Sequence, residues 1–224
     1  MRVKYLNLGI AVTAALSALS SGAFAALCPA GGAVGSTLDA YIALGAAGCT
    51  IGDKTFSNFV YNGDGTGILA TQVGVTPDAS GNLGVLLNGA WGGPAAGAND
   101  VAINFTVAIT PGAAPAGTLI TDASLQVLNG TGSFLDTEQL FNAVGGALLA
   151  TITTSDNLLH TAAFAGVLSA NETEDLRLNP GAQVSIVDKR FSQTTPTVAE
   201  PASLALLGAG LAGFGLIRRR RKAA

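Results

Sequence analysis

His160 is the chain's single histidine, and it stands four residues after Asp156 and five after Ser155. A serine nucleophile needs a histidine as its proton shuttle and a carboxylate to orient it. Those three residues are therefore the one set that could form a triad by type. No Gly-x-Ser-x-Gly elbow accompanies them, and His160 lies in Leu158-Leu159-His160-Thr161-Ala162, a packing context. Cys28 and Cys49 are the only cysteines; with one histidine they make a structural zinc site of protein ligands an unfavourable reading. Asn62-Gly63-Asp64-Gly65-Thr66-Gly67 has the oxygen ligands and glycines of a calcium loop. The glutamate required at the twelfth position is Val73, so a Gly- and Asp-rich hairpin turn is the simpler expectation. Glu172, Glu174 and Asp175 are acids that could serve glycoside hydrolysis if a second carboxylate faced them across a cleft. Following Asn171, they read as a solvated turn. Gly31-Gly32-Ala33-Val34-Gly35 lacks the strand before it and the lysine after it that a phosphate loop requires. No catalytic residue, metal or cofactor is assigned. Trp91 is the only tryptophan. It would stack on a sugar ring as a ligand contact if exposed, and core packing is the competing role.

These residues sit in a chain of uneven charge. Of 11 basic residues, seven lie at the ends: Arg2, Lys4, Arg218, Arg219, Arg220, Arg221 and Lys222. Only Lys54, Arg177, Lys189 and Arg190 lie between, among all 14 acids, which leaves that stretch at −10. The balance excludes a basic nucleic-acid footprint there. Basic ends beside apolar runs point to membrane topology.

Met1 to Ala25 has the parts of a secretory signal peptide: Arg2 and Lys4, the apolar Leu6–Leu19, and the cleavage site Ala23-Phe24-Ala25. Signal peptidase is the implied partner. At the other end, Ala199-Glu200-Pro201 precedes the apolar run Ala202–Ile217, and Arg218-Arg219-Arg220-Arg221-Lys222 follows. A helix over that run would be about 24 Å long, short for a hydrocarbon core of about 30 Å. Snorkelling arginines would cover the difference. Positive-inside topology keeps both basic ends cytoplasmic and exports the acidic middle across the inner membrane. In that oxidising compartment Cys28 and Cys49 are expected to pair, free buried thiols being the alternative.

The tripartite tail resembles the PEP-CTERM sorting signal of bacterial exosortase substrates, with Ala199-Glu200-Pro201 in place of Pro-Glu-Pro. The resemblance covers about the last 25 residues. It implies membrane anchoring, then cutting near Glu200-Pro201 by an exosortase-like transpeptidase, and release to the cell surface or an exopolysaccharide matrix. An uncut tail anchor is the other reading. The run Cys49–Phe59 also looks like one found early in many PEP-CTERM ectodomains; it implies no activity.

Periodicity places the exported residues on strands. Val101, Ile103, Phe105, Val107 and Ile109 alternate with Ala102, Asn104, Thr106 and Ala108, the pattern of a half-buried strand ending before Pro111. Residues 55–61, 68–75, 83–87, 119–128, 148–154, 158–168 and 183–193 are weaker strand candidates. Asn179-Pro180-Gly181 predicts a turn. Asp136 to Leu149 is a helix candidate, with Asp136 and Gln139 spaced as a capping box, although Gly145-Gly146 opposes a long one. Glycine is 30 of 224 residues, about 13% against a usual level near 7%, which suits short strands and many turns. The expected organisation is a signal peptide (1–25), an all-β antiparallel sandwich (26–192), a linker (193–198) and the sorting signal (199–224). The expected function is a non-enzymatic surface or matrix protein. A carbohydrate-binding module and a carboxylate-dependent hydrolase are the alternatives.

Overall fold

A computed structural model describes residues 25–29, 37–63, 66–79, 81–93 and 99–195. Ala23, the sorting motif Ala199-Glu200-Pro201, the apolar run after it and the basic tail Arg218–Lys222 lie outside the described residues. So do Gly31–Gly35, Asp64 and Gly65.

Alternation becomes a two-layer sandwich. The elements are β1 (Ala26–Leu27), α1 (Leu38–Ala43), β2 (Cys49–Ile51), β3 (Lys54–Asn62), a 3-10 turn (Ala70–Gln72), β4 (Gly74–Asp78), β5 (Leu83–Gly92), β6 (Asn99–Ile109), β7 (Leu119–Leu128), β8 (Phe134–Asn142), β9 (Leu148–Thr154), β10 (Leu159–Val167), β11 (Ser169–Leu178) and β12 (Gln183–Thr194). One sheet runs β1-β2-β3-β6-β11-β8-β9 and the other β10-β7-β12-β5-β4. Every pairing is antiparallel except β1 with β2.

Val101, Ile103, Phe105 and Val107 of β6 all point inward and are buried. Phe105 stacks on Phe59 at 5.0 Å and meets Phe191 of the opposite sheet edge-on at 6.0 Å. Aromatic pairs at these separations add to their large buried area. The core is therefore shared between the sheets, as a sandwich requires.

Four expectations change. Residues 136–149 are not a helix: they form β8, a turn and β9. Asp136, Glu138 and Leu140 are buried on one face, a period of two that no helix provides, and β11 and β9 flank β8 to take up its backbone groups. Gly145 and Gly146, at φ 89° and 66°, supply the left-handed geometry of the turn. Glu172, Glu174 and Asp175 are not on a solvated turn. They lie in β11, between β6 and β8 in the middle of the larger sheet. Residues 68–75 form the 3-10 turn and only the start of β4, which continues through Pro77. Because β4 is the edge strand of its sheet, with β5 as its one neighbouring strand among the described residues, the missing N–H of Pro77 costs no ladder bond. Finally, Asn62–Gly67 is not a hairpin turn, because β3 and β4 belong to different sheets.

Asn179-Pro180-Gly181 does turn the chain. The Ala182 N–H donates to the Asn179 carbonyl at 3.0 Å with Gly181 at φ 79°, and the turn carries β11 across to β12 in the other sheet. Helix α1 has no counterpart among the sequence expectations. It buries Leu38 and Tyr41, and the Tyr41 hydroxyl donates to the Pro29 carbonyl at 2.9 Å. Cys28 and Cys49 are disulfide-bonded, with Cα atoms 4.7 Å apart. Among the described residues no helix is long and apolar enough to cross a membrane. Strand β12 extends to Thr194, two residues into the stretch expected as linker.

Candidate functional site

The most unusual chemistry lies inside the sandwich. Strand β8 points Asp136 and Glu138 inward, β11 points Glu172 and Glu174 inward, and β12 brings Lys189 from the opposite sheet. All five side chains are buried. Glu138 and Glu174 are direct cross-strand partners, so two acids occupy a position where like charges destabilise a sheet. The Lys189 ammonium answers them. Its Nζ donates to Glu172 Oε1, lies 2.9 Å from Glu174 Oε2 and 3.6 Å from Glu138 Oε2. The carboxyl of Asp136 has no hydrogen-bond partner among the described residues.

Four carboxylates and one ammonium cannot all be charged in a low-dielectric interior, because each unpaired charge there is costly. Burial pushes the carboxyl of Asp136 well above the usual carboxylate range, and repulsion from Glu174 adds to it. Burial raises Glu138 to about 7, against the opposing pull of Lys189. Glu172 is likewise raised well above its ordinary value by burial. Burial pulls Lys189 down, but Glu172, Glu174, Glu138 and Asp136 outweigh it and hold its amine well above the ordinary lysine value. The cluster therefore holds protons among acids packed around one amine.

What it does not offer is access. Two acids do face each other, as the hydrolase reading requires, but between sheets rather than across a cleft. Among the described residues no group of three or more His, Cys, Asp or Glu has an arrangement that could hold a metal ion.

The sequence carried a signal for this cluster. Asp136 and Glu138, and Glu172 and Glu174, are each two residues apart, which puts both members on one face of a strand. Lys189 stands two residues from both Val187 and Phe191, on the buried face of β12.

Trp91 is fully buried. Its indole N–H donates to the Tyr61 hydroxyl at 3.2 Å. Of the two roles weighed for Trp91, the structure shows core packing and not an exposed stacking platform: the inward alternation of β5 carries the ring between the layers. His160 and Asp156 do meet, 2.9 Å apart, half-exposed at the turn between β9 and β10. The Ser155 hydroxyl makes no hydrogen bond to His160, so the three form no triad.

A separate hollow of about 340 Å³ is lined by Gly52, Asp53, Lys54, Asn82, Phe191 and Gln193 among others. Its polar groups satisfy one another: Lys54 Nζ donates to Gln193 Oε1 at 2.7 Å, and the Gln193 amide donates to Asp53. Burial lowers the Lys54 amine, with Asp53 pulling the other way.

Fold and site together define an all-β antiparallel sandwich with a buried lysine–carboxylate cluster. Residues 197–221, which begin three residues after the last strand, match the PEP-CTERM protein-sorting motif. This motif implies an exported protein sorted to the cell surface. No curated protein matches the chain. Among solved structures, TmCBM61 in complex with β-1,4-galactotriose is 12% identical over 72% of this chain and 100% of its own, with a TM-score of 0.39. A family 11 carbohydrate-binding module from Clostridium thermocellum, in complex with a β-1,3-1,4-mixed-linked tetrasaccharide, is 10% identical over 61% and 87%, at 0.31. The enzymatically active domain of a bacteriophage CBA120 tailspike protein is 16% identical over 65% and 20%, at 0.27. At these TM-scores the likenesses assign neither ligand nor reaction.

Proposed function

We propose that the chain is an exported, non-enzymatic protein of the cell surface or exopolysaccharide matrix, processed through its C-terminal signal by an exosortase. The observation that carries this reading is the position of the sorting motif. It starts at residue 197, after β12 has ended at Thr194, so a cut near Glu200-Pro201 would remove the tail without taking a strand from either sheet. The non-enzymatic part rests on the sealed cluster: a catalytic carboxylate must reach its substrate, and these are closed off between the sheets. The test is mass spectrometry of the C-terminal peptide from cells with and without their exosortase. A terminus near Glu200-Pro201 that disappears in the deletion strain supports the proposal. An intact Arg221-Lys222-Ala223-Ala224 end in both strains makes the tail a permanent anchor.

A second reading, a carbohydrate-binding surface protein, draws on the outer face of the larger sheet. Alternation puts Asn104, Thr106, Asn171, Thr173 and Gln139 there, in adjoining strands. The Thr106 hydroxyl donates to Asn171 at 2.9 Å, and Asn171 is exposed. Amide and hydroxyl groups in that arrangement suit sugar hydroxyls. Titration with the producing cell's own exopolysaccharide tests it: saturable binding lost in Asn171→Ala supports a glycan site, and no binding removes it.

A further inference from the structure

The contact between Lys189 and Glu172 joins the two sheets, and it is built from the two groups of which an amide is made. We propose that Lys189 and Glu172 condense to an intramolecular isopeptide bond, a covalent staple between β12 and β11. An amine held against a carboxyl group reacts as if both were at very high concentration. Water opposes amide formation in solution, and this site is closed to it, with Lys189, Glu138 and Glu174 all fully buried.

Adjacent groups supply the proton transfers. Glu172 Oε1 accepts from the amine, while Glu172 Oε2 has no hydrogen-bond partner among the described residues and is the oxygen free to leave. One proton passes from the ammonium to Glu172, giving the minor, charge-free microstate in which the Nζ lone pair becomes a nucleophile. The Nζ lone pair then forms a bond to the Glu172 carboxyl carbon. Glu174, 2.9 Å from Nζ, takes a proton from the nitrogen. Glu138, on its other side at 3.6 Å, gives its proton to the departing hydroxyl. The carbon–oxygen bond breaks and one water leaves. Ammonium and carboxylate have become a neutral amide and water, with no oxidant or co-reactant. Glu138 and Glu174 then redistribute one proton between them, and Asp136 remains beside them as a neutral acid. The product removes the most costly element of the cluster, a buried ion pair, and leaves three acids that protons alone neutralise.

Digestion of the full-length chain under denaturing, reducing conditions decides the matter. Lys-C cuts after a free lysine and not after an acylated one, and Lys54 serves as the internal control. The expected result is cleavage at Lys54, loss of cleavage at Lys189, and a branched chymotryptic peptide joining Lys189 to Glu172 that is lighter than its two parts by one water. Cleavage at Lys189 equal to that at Lys54, or a branch on any other residue, overturns the proposal. Glu138→Gln separates the proton carrier from the acceptor: the fraction cut at Lys189 rises if Glu138 serves the step. An unchanged fraction overturns its role, and the wild-type digest stands as the test even if the variant does not fold.

Discussion

Lys189 Nζ and Glu174 Oε2 lie 2.9 Å apart at the centre of the sandwich, the lysine coming from the smaller sheet and the glutamate from the larger. The same amine contacts Glu172 and Glu138. The layers are thus tied by a polar contact in the region where sandwiches are ordinarily apolar.

Removing the lysine should be costly. Lys189→Met leaves four buried carboxyl groups without a cation or amide partner, and breaking a buried charged network from one side typically costs about 3–5 kcal/mol. Chemical denaturation should show a midpoint lowered accordingly. A change of a few tenths would mean that the acids are already neutral and independent of Lys189.

The acids give stability a definite pH dependence. Glu138 releases its proton near its ordinary value when unfolded and at about 7 when folded. Between those values the native state holds more protons than the unfolded chain, so stability falls as pH rises. Asp136, also raised by burial, acts in the same direction. Thermal melts should therefore show Tm falling from pH 5 to pH 8, with a shallower slope in Glu138→Gln. A Tm that rises over this range would contradict the buried cluster.

The disulfide holds the N-terminal edge. Cys28 follows β1, a two-residue strand paired only with β2 among the described residues, and its partner Cys49 opens β2. A bridge closing a loop of about 20 residues contributes roughly 3 kcal/mol. Cys28→Ser with Cys49→Ser should lower the denaturation midpoint by that order. Amide exchange should rise first at residues 26–28, while β6, β11 and β12 stay protected.

Trp91 reports on the core. As the only tryptophan, fully buried and bonded to Tyr61, it should emit at short wavelength and resist iodide quenching. Trp91→Ala should cost about 3–5 kcal/mol through the cavity it leaves. Quenching as strong as that of free tryptophan would show the ring to be exposed.

Much of the molecule was legible in the linear chain. Strands β6, β7 and β9 could be read because alternation is a local property, set by which face of each strand meets the core. The sorting tail could be read for a different reason: the machinery that recognises it reads charge and hydropathy in linear order. The pairing of the only two cysteines followed from compartment and count. Tertiary structure alone decided the rest. Strand β11 is polar on both faces, since Glu172 and Glu174 alternate with Asn171, Thr173 and Asp175, so no hydrophobic pattern marked it. Whether a carboxylate faces water or a lysine depends on which strand lies opposite. Lys189 meets Glu138 and Glu172 from distant positions in the chain and from the other sheet. Trp91 followed the same rule, because burial is fixed by the layer packed above a residue, and composition along one strand holds no record of that layer.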